Sequence, residues 1–495
     1  MSDGRKDAVL NKKNEKIAPG ASPAAKGYVL VDGGWRAGSG ERFTVLDKYL
    51  LTPTLEVAAA GPDQVAHALD VAHTAFRRGA PLAYERGEIL TRAASLVAER
   101  RDALVQAMQA EAGFTAADGR GEVNRCVETL RLSGEEARRL AGTIVPFEGA
   151  PNQAGRFAFT LRVPVGVVAA ITPFNSPLNT VAHKIAPAFA AGNPVILKPS
   201  SATPVTACLL AEALMDAGLP AGFLSVLHGS GRVAESLLRD ERVRFFAFTG
   251  STEVGRNIQA IAGLRRTQME LGSIAFTILC DDADLDRALP KVVNAGYRKA
   301  GQVCTSVQML LVHRSRQTAV ERRLGEMVAA LNYGDPRRDG AVVGPLISEE
   351  AALRVESWVD EAVAQGARRL AGGPRSGSVV PPTLLTDIDG RMQVSCREIF
   401  GPVICIAPFD TLDEAIDRVN ATPFGLASGI FTSRLEDAFR AARRLDVGSV
   451  HINETSSARV DMMPYGGSKD SGFGREGPYY AIREMTEERV VSIST

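Results

Sequence analysis

Cysteine is scarce in this chain of 495 residues, and the six present, Cys126, Cys208, Cys280, Cys304, Cys396 and Cys405, show no C-x-x-C spacing. That argues against a disulfide framework and a thiolate zinc site, and it fits a reducing cytoplasm. An excess charge is missing too. Lys plus Arg and Asp plus Glu are each 57, so nothing points toward nucleic acid or an anionic membrane surface. No uninterrupted apolar stretch approaches the roughly 20 residues a membrane helix needs, and the amino terminus lacks the apolar core of a secretion signal. The histidines, His67, His73, His183, His228, His313 and His451, are scattered with no H-E-x-x-H, so no metal site is expected. Without a G-x-S-x-G elbow a serine hydrolase has no basis, and without a fixed-period repeat a solenoid has none.

What is present suits a protein of two or three domains, with 45% hydrophobic and 23% charged residues. Residues 1–27 are polar and Pro/Gly/Ala-rich and read as a mobile arm. YVLVDGGWR reads as a hairpin start. Pro62 and Asp63 open a helix with Val65, Leu69, Ala72 and Phe76 at helical spacing, and Val123 to Leu140 forms another amphipathic helix. Between about 165 and 280 the pattern changes to short β-rich runs, VGVVAAIT, NPVILKPS, FLSVLHGSG, VRFFAFTG and FTILCDD, with helices between most of them. This is the signature of a parallel sheet. The alternation resumes after Cys304 with SVQMLLVH, helices at 316–331, 348–366, 412–420 and 434–445, and the strands PVICIAPF, GIFT and SVHIN. A second α/β domain is expected there.

Several motifs sit where chemistry is done. HGSGRVA places Gly229, Gly231 and Ala234 in a G-x-G-x-x-A turn after a strand, although no ribose carboxylate follows about 20 residues on. FTGSTEVG places Gly250, Ser251, Thr252 and Gly255 at a second strand-to-helix junction, where free N–H groups and the helix dipole can receive a pyrophosphate. Two such turns in one sheet point to a nucleotide. Lys198, with Ser200 and Ser201 after it, ends a parallel strand and suits a ribose or its phosphate. Cys304, in KAGQVCTSVQ, lies outside any apolar face, whereas the other five cysteines read as inert core residues.

Taken together, KAGQVCTS, MELGS, ITPFNSPLN, ILKPS, FTGSTEVG, REIFGPV and MPYGGSKDSGFGREG resemble the aldehyde dehydrogenase superfamily, in its order and spacing, over about residues 30–490. The resemblance implies an α/β fold of three parts. These are a Rossmann-like cofactor domain (28–147 with 165–272), a catalytic α/β domain (273–460) and a β-strand oligomerisation flap (148–164 with 476–495). In the family the flap strands, matched by RFAFTLRVP and ERVVSIS, pair across subunits, which implies a homodimer or homotetramer. The resemblance makes Cys304 the nucleophile that forms a thiohemiacetal, Asn175 the oxyanion donor, and Glu270 the base that activates water to hydrolyse the thioester. A glutamate there favours a free carboxylic acid as product.

For the cofactor, NAD or NADP, Lys198 and Ser201 match positions facing the adenosine ribose, and Ser251 matches the pyrophosphate contact. Glu398 and Phe400 match those at the nicotinamide ribose, and Thr172, Pro173, Ser200, Gly231, Gly250, Gly255 and Leu271 complete the expected set. Serine at 201, where NAD-restricted relatives often carry glutamate, leaves NADP open. One departure is that ELGGK becomes Glu270-Leu-Gly-Ser273-Ile274, which resembles the branch with lactaldehyde, sulfolactaldehyde and some phosphonoaldehyde dehydrogenases. There arginines grip an anionic substrate, and Arg125 and Arg459 match two such positions. Arg125 equally suits a helix face or an interdomain salt bridge, and Val303 and Ser176 stand where anion-binding relatives often have further basic residues. The expected reaction is oxidation of a small hydroxylated or anionic aldehyde. The alternatives are a broad-specificity enzyme for uncharged aldehydes and a thioester hydrolase or acyltransferase.

Overall fold

The computed structural model describes residues 26–494. The arm expected over 1–27 thus lies, save for Lys26 and Gly27, outside the described residues.

The β-rich runs between 165 and 280 are apolar on both sides because both sides are covered. All five residues of Val167–Ile171 are buried. Val168 and Ala170 join one apolar cluster, while Val167, Ala169 and Ile171 join the other. Val243–Thr249 divides in the same way, with Phe245 and Ala247 on one face and Phe246 and Phe248 on the opposite one. Side chains alternating between two packed faces are what a sheet sandwiched by helices requires.

Five parallel strands form the middle of this sheet, in the order Leu224–Val226, Val195–Lys198, Val167–Ile171, Val243–Thr249 and Arg266–Glu270. The hairpin of Val29–Val31 and Gly34–Arg36 extends one edge antiparallel. Gly472–Phe473 returns from late in the chain to close the other edge beside Arg266–Glu270, a pairing the sequence pattern did not indicate. The chain starts at Val167–Ile171, winds outward to Leu224–Val226, then crosses back to Val243–Thr249. The order therefore reverses between Val167–Ile171 and Val243–Thr249, where the carboxyl ends of parallel strands open a crevice. Thr172 to Asn175 leave one side of it, Gly250 and Ser251 the other.

Two helices at the site follow from local chemistry. Ser251 caps Thr252–Ala262, its Oγ accepting from the Val254 N–H at 3.4 Å. The helix expected from Val123 starts earlier, as Ala116–Ala137, because the Thr115 hydroxyl accepts from the Asp118 N–H at 3.2 Å. Those added turns bring Glu122 into play.

A second sheet runs Arg368–Ala371, Thr383–Thr386, Val403–Phe409, Val307–His313, Ala275–Leu279, Ala427–Phe431 and Ser449–Ile452. Every neighbouring pair is parallel except the first. A third, antiparallel sheet joins Ile144–Val145, Arg156–Pro164 and Thr486–Ser494, with Thr486 opposite Pro164 and Ser494 opposite Arg156. Ile144, Phe157, Leu161, Val490 and Ile493 are exposed on it. Ile144–Val145 joins this sheet ahead of the boundary expected at 148. Helix Pro478–Glu484, inside the expected flap segment 476–495, instead packs on helices Ala116–Ala137 and Asn179–Ala190, because Ala481 and Ile482 are buried there.

Candidate active site

A cavity of about 660 Å³ is lined from both large sheets. Pro173, Asn175, Gly250, Ser251, Glu270 and Leu271 reach it from the first sheet, Cys304, Glu398 and Phe400 from the second, Arg125 from helix Ala116–Ala137, and Arg459 from the loop after Ser449–Ile452. Other expected site residues do not line it. Thr172 is buried at the strand end, its N–H donating to the Lys198 carbonyl at 3.2 Å. Ser200 turns inward to accept from the Ala202 N–H at 3.2 Å. Gly231 opens helix Gly231–Arg239. Gly255 is a packing glycine, since a Cβ there would stand 2.4 Å from Leu271 Cδ2. Ser201 lines a second cavity of about 870 Å³ with Ser230 and Arg232, and its hydroxyl donates to the Gly229 carbonyl at 2.9 Å.

Cys304 follows a turn in which Lys299, Ala300 and Gly301 all take positive φ, at 52°, 53° and 70°. For the two residues with side chains this conformation is strained, by roughly 1–2 kcal/mol each. Gly301 is obligatory, because a Cβ would fall 2.1 Å from the Gly401 carbonyl oxygen. Lys299 holds the turn in place. Its ammonium pairs with Glu122 at 2.6 Å, donates to the Asn175 carbonyl at 3.1 Å and lies 4.6 Å over the Phe114 ring. Glu122 in turn accepts from the Ser176 hydroxyl at 2.8 Å and the Asn179 N–H at 3.1 Å. One buried ion pair therefore ties the Cys304 loop to the Asn175 loop. Burial pushes the Cys304 thiol up to about 11, with the Glu270 charge adding to it; the Tyr465 hydroxyl at 2.9 Å and Arg459 act in the other direction.

Glu270 is buried at the end of its strand, and its Oε1 has no hydrogen-bond partner. Burial and then the neighbouring Glu476 hold its titration well above the usual carboxylate range. Glu476 goes the opposite way despite its own burial, because Lys184 lies 2.8 Å and Arg459 2.7 Å from its oxygens. Of these two carboxyls Glu476 carries the charge and Glu270 the proton.

A family model described as the aldehyde dehydrogenase family matches residues 35–491. The chain belongs to the aldehyde dehydrogenase family. It is an NAD(P)-dependent oxidoreductase with the α/β fold of that family. A 3-sulfolactaldehyde dehydrogenase of Priestia aryabhattai is 45% identical over 468 residues, covering 94% of this chain and 98% of that protein. Aldehyde dehydrogenase 21 of Physcomitrella patens, solved in complex with the reaction product succinate, superposes with a TM-score of 0.92 at 36% identity, covering 94% of this chain and 98% of that one. An NADP-dependent glyceraldehyde-3-phosphate dehydrogenase of Bacillus halodurans C-125, solved with NADP, gives a TM-score of 0.92 at 32% identity, covering 94% of this chain and 99% of that one. Among the described residues no helix is long and apolar enough to cross a membrane.

The surroundings of this aldehyde dehydrogenase's crevice fit a dinucleotide. The Lys198 ammonium is largely buried with no ion-pair or hydrogen-bond partner among the described residues, and burial pulls it down to about 8. The hydroxyls of Thr172, Thr249 and Ser273 are buried without partners. Glu398, pushed up to about 7 by burial, accepts from the Ser273 N–H at 2.9 Å. The Phe400 and Phe174 rings meet edge to face at 5.9 Å.

The arginines sort themselves by partner. Arg125 forms a salt bridge with a residue far along the chain, its Nε and Nη2 both on Asp461 and the shorter contact 2.7 Å. Asp461 also accepts from Asn179 at 3.0 Å and sits 2.9 Å from His183 Nε2, and its carboxyl is held well below the usual range. Arg459 is pinned by Glu476 and lies 3.7 Å over the Tyr465 ring. Arg298 also lines the cavity and was missed by the sequence reading. Its side chain hydrogen-bonds the Ser457 hydroxyl at 2.7 Å and has no carboxylate in ion-pair range among the described residues, although the charges of Asp118 and Glu122 reach it. Lys184, Lys299, Tyr465 and Glu476 were missed too. The signals were available: Lys299 opens the Cys304 motif and Arg298 directly precedes it, Tyr465 and Glu476 lie in the closing block, and Lys184 interrupts a helix buried along its whole length. Among the cysteines, Cys396 departs from expectation. It is exposed, whereas Cys126, Cys208, Cys280 and Cys405 are buried.

Proposed function

We propose that this aldehyde dehydrogenase oxidises a small aldehyde bearing an acidic group, a sulfonate, phosphonate or phosphate, often with a hydroxyl, to the free carboxylic acid. The observation that carries the substrate reading is the charge balance of the cavity. Arg125 is matched by Asp461 and Lys299 by Glu122, whereas Arg459 and Lys184 share the single carboxylate of Glu476, and Arg298 has no ion pair of its own, only the more distant charges of Asp118 and Glu122, so cations outnumber anions here. Arg354, also without an ion pair, belongs to the Glu398 side, stacked on Trp358. An unmatched guanidinium at a cavity wall favours an anionic ligand, and its planar fork suits a tetrahedral oxyanion. Arg125 keeps Nη1 free of Asp461 and can assist, whereas Arg459 acts mainly on Tyr465 and Glu476. The sulfolactaldehyde-oxidising relative supports this reading.

In the proposed reaction the Cys304 sulfur bonds to the aldehyde carbon, and the carbonyl electron pair moves onto oxygen. The Asn175 amide, which has no partner among the described residues, and the Cys304 N–H hold that oxygen. The chemistry a bound NAD(P)+ supplies is acceptance of the hydride from that carbon, and Lys198, Ser201, Ser251 and Glu398 are the residues that would hold it. Water then adds to the Cys304 thioester as Glu270 takes its proton, the carbon–sulfur bond breaks and the acid departs. Glu270 acts as base only in its ionised form, and burial raises the pH at which that form is present. The exposed apolar strands Arg156–Pro164 and Thr486–Ser494 support a homodimer or homotetramer, which light scattering would measure.

The test is absorbance of reduced nicotinamide with NAD+ and NADP+ in parallel, over sulfolactaldehyde, phosphonoaldehydes, glyceraldehyde 3-phosphate, lactaldehyde and uncharged alkanals. The expected result is a higher kcat/KM for the anionic aldehydes. Turnover of alkanals alone would refute it, and silence with every aldehyde would favour thioester chemistry without a redox step.

A further inference from the structure

We propose that the Tyr465 hydroxyl is a catalytic group of this enzyme, donating a hydrogen bond to the Cys304 sulfur and stabilising it as a thiolate when it attacks the aldehyde and when it leaves the thioester. The inference rests on the reading of Cys304 as nucleophile and deepens it.

Tyr465 lies 161 residues beyond Cys304 in sequence, yet its hydroxyl is 2.9 Å from the sulfur. The ring is buried, and Cys304 is the only hydrogen-bond partner of the hydroxyl among the described residues. The backbone is fixed as well. The Tyr465 N–H donates to the Glu476 carbonyl at 3.2 Å, and the Glu476 N–H donates back at 2.7 Å. The guanidinium of Arg459 lies 3.7 Å over the ring and is itself pinned by Glu476 at 2.7 Å. A cation on the ring face draws electron density from the phenol, which strengthens its O–H as a donor.

The direction of the bond follows from the chemistry of the two groups. A phenol is a much better donor than a thiol, and a thiolate can only accept. Burial, followed by the charges of Cys304 and Glu270, holds the phenol well above its ordinary titration range, so it keeps its proton while the thiol titrates. The charged groups that face the sulfur are few. Glu270, from strand Arg266–Glu270, and Glu398, from the turn before Val403–Phe409, disfavour its anion; Arg459 and Tyr465 favour it, and Arg298, on the same loop, feels its charge. Of these groups only Tyr465 is within hydrogen-bond distance of the sulfur, so its bond is the direct contact that stabilises sulfur as an anion.

The step balances at both ends. Before attack the thiol gives its proton to water; the sulfur pair then forms the carbon–sulfur bond and the carbonyl pair moves to oxygen. On release the water oxygen bonds to carbon, its proton goes to Glu270, and the carbon–sulfur pair returns to sulfur, where the Tyr465 O–H meets it.

The experiment uses Tyr465→Phe, which removes one oxygen and keeps the ring. Alkylation of Cys304 by iodoacetamide is followed against pH by site-resolved mass spectrometry, with the exposed Cys396 as internal reference. A hydrogen bond to an ion is worth about one to two units in the thiol midpoint, so the midpoint should rise by that amount. Below the midpoint the Cys304 rate should fall by about 3- to 15-fold, the greater intrinsic nucleophilicity of the more basic thiolate offsetting part of the change. Cys396 should not respond. A midpoint unchanged or lowered overturns the proposal. If Tyr465→Phe does not fold, the infrared difference spectrum of wild type against Cys304→Ser reads the same bond. A free S–H stretch supports tyrosine as donor, and a downshifted one, with the thiol donating to tyrosine, overturns it. Aldehyde oxidation surviving in Cys304→Ala would instead sink the nucleophile reading, which no alkylation result does.

Discussion

Replacing Arg298 with Leu removes the one guanidinium beside Cys304 that no carboxylate matches. A charge-assisted hydrogen bond contributes about 1.5–3 kcal/mol, which at 1.36 kcal/mol per decade is about a 13- to 160-fold loss of kcat/KM. Coulomb attraction at 4 Å in an effective dielectric of 20 sets a ceiling near 4 kcal/mol. The loss should fall on the anionic aldehyde alone. An uncharged homologue of the same length should change by less than about threefold, because it never met the charge. Arg298→Lys should recover part of the loss, since an ammonium restores the charge but not the two-pronged fork. The assay is initial-rate reduction of the preferred dinucleotide with both aldehydes on wild type and the two variants. Equal losses on charged and uncharged substrates would assign Arg298 a structural role, and undiminished preference for the anion would place substrate recognition elsewhere. Arg125→Gln provides the contrast. It strips Asp461 of an ion pair about a third exposed on the arginine side, while His183 and Asn179 remain. It should lower stability by about 1–2 kcal/mol, read as a lower unfolding midpoint, more than it lowers discrimination.

Glu270→Gln should preserve the first burst of reduced cofactor and slow acid release. In the wild type the release rate should climb with pH through a carboxyl titration raised well above its usual range, because only the deprotonated form accepts a proton from water; a pH-independent release step would contradict this. Lys299→Met leaves Glu122 buried without its cation, which is expected to cost about 3–5 kcal/mol of stability, and adding Glu122→Gln should restore much of it. Thermal melts of both single variants and the double variant check this, and additive losses would refute the strut. Ser201→Glu should weaken NADP relative to NAD by charge repulsion at the adenosine ribose; an unchanged ratio of the two kcat/KM values would move that ribose away from Ser201.

The alternation of strands and helices was legible because it is a local property. A strand covered on both faces, such as Val167–Ile171, must be apolar throughout, and the Pro62–Arg78 helix starts at a proline that suits a first turn. Cys304, Glu270 and Asn175 stood out because each lies in a short block that resembles a family motif, and in the Cys304 block the backbone itself demands a glycine, Gly301 against the Gly401 carbonyl. Gly255 shows the limit of that reasoning, because a glycine that lets a helix lie on Leu271 looks the same in sequence as one that lets a phosphate approach. The return of Gly472–Phe473 to the first sheet was hidden because two residues carry no periodicity.

The sequence by itself determined the α/β layers, through local patterning, and the family, through blocks that resemble it, and it singled out Cys304, Glu270 and Asn175, which the fold gathers into one cavity. Only the tertiary structure decided which charges are matched. Arg125 meets Asp461 across 336 residues and Lys299 meets Glu122 across 177. Arg459 finds Glu476, Tyr465 reaches Cys304, and Arg298 is left without an ion pair among the described residues. Long side chains take their partners from whatever segment the sheet crossovers bring alongside. The net charge of the cavity is a sum over those meetings, so it exists only once the two sheets have closed on one another.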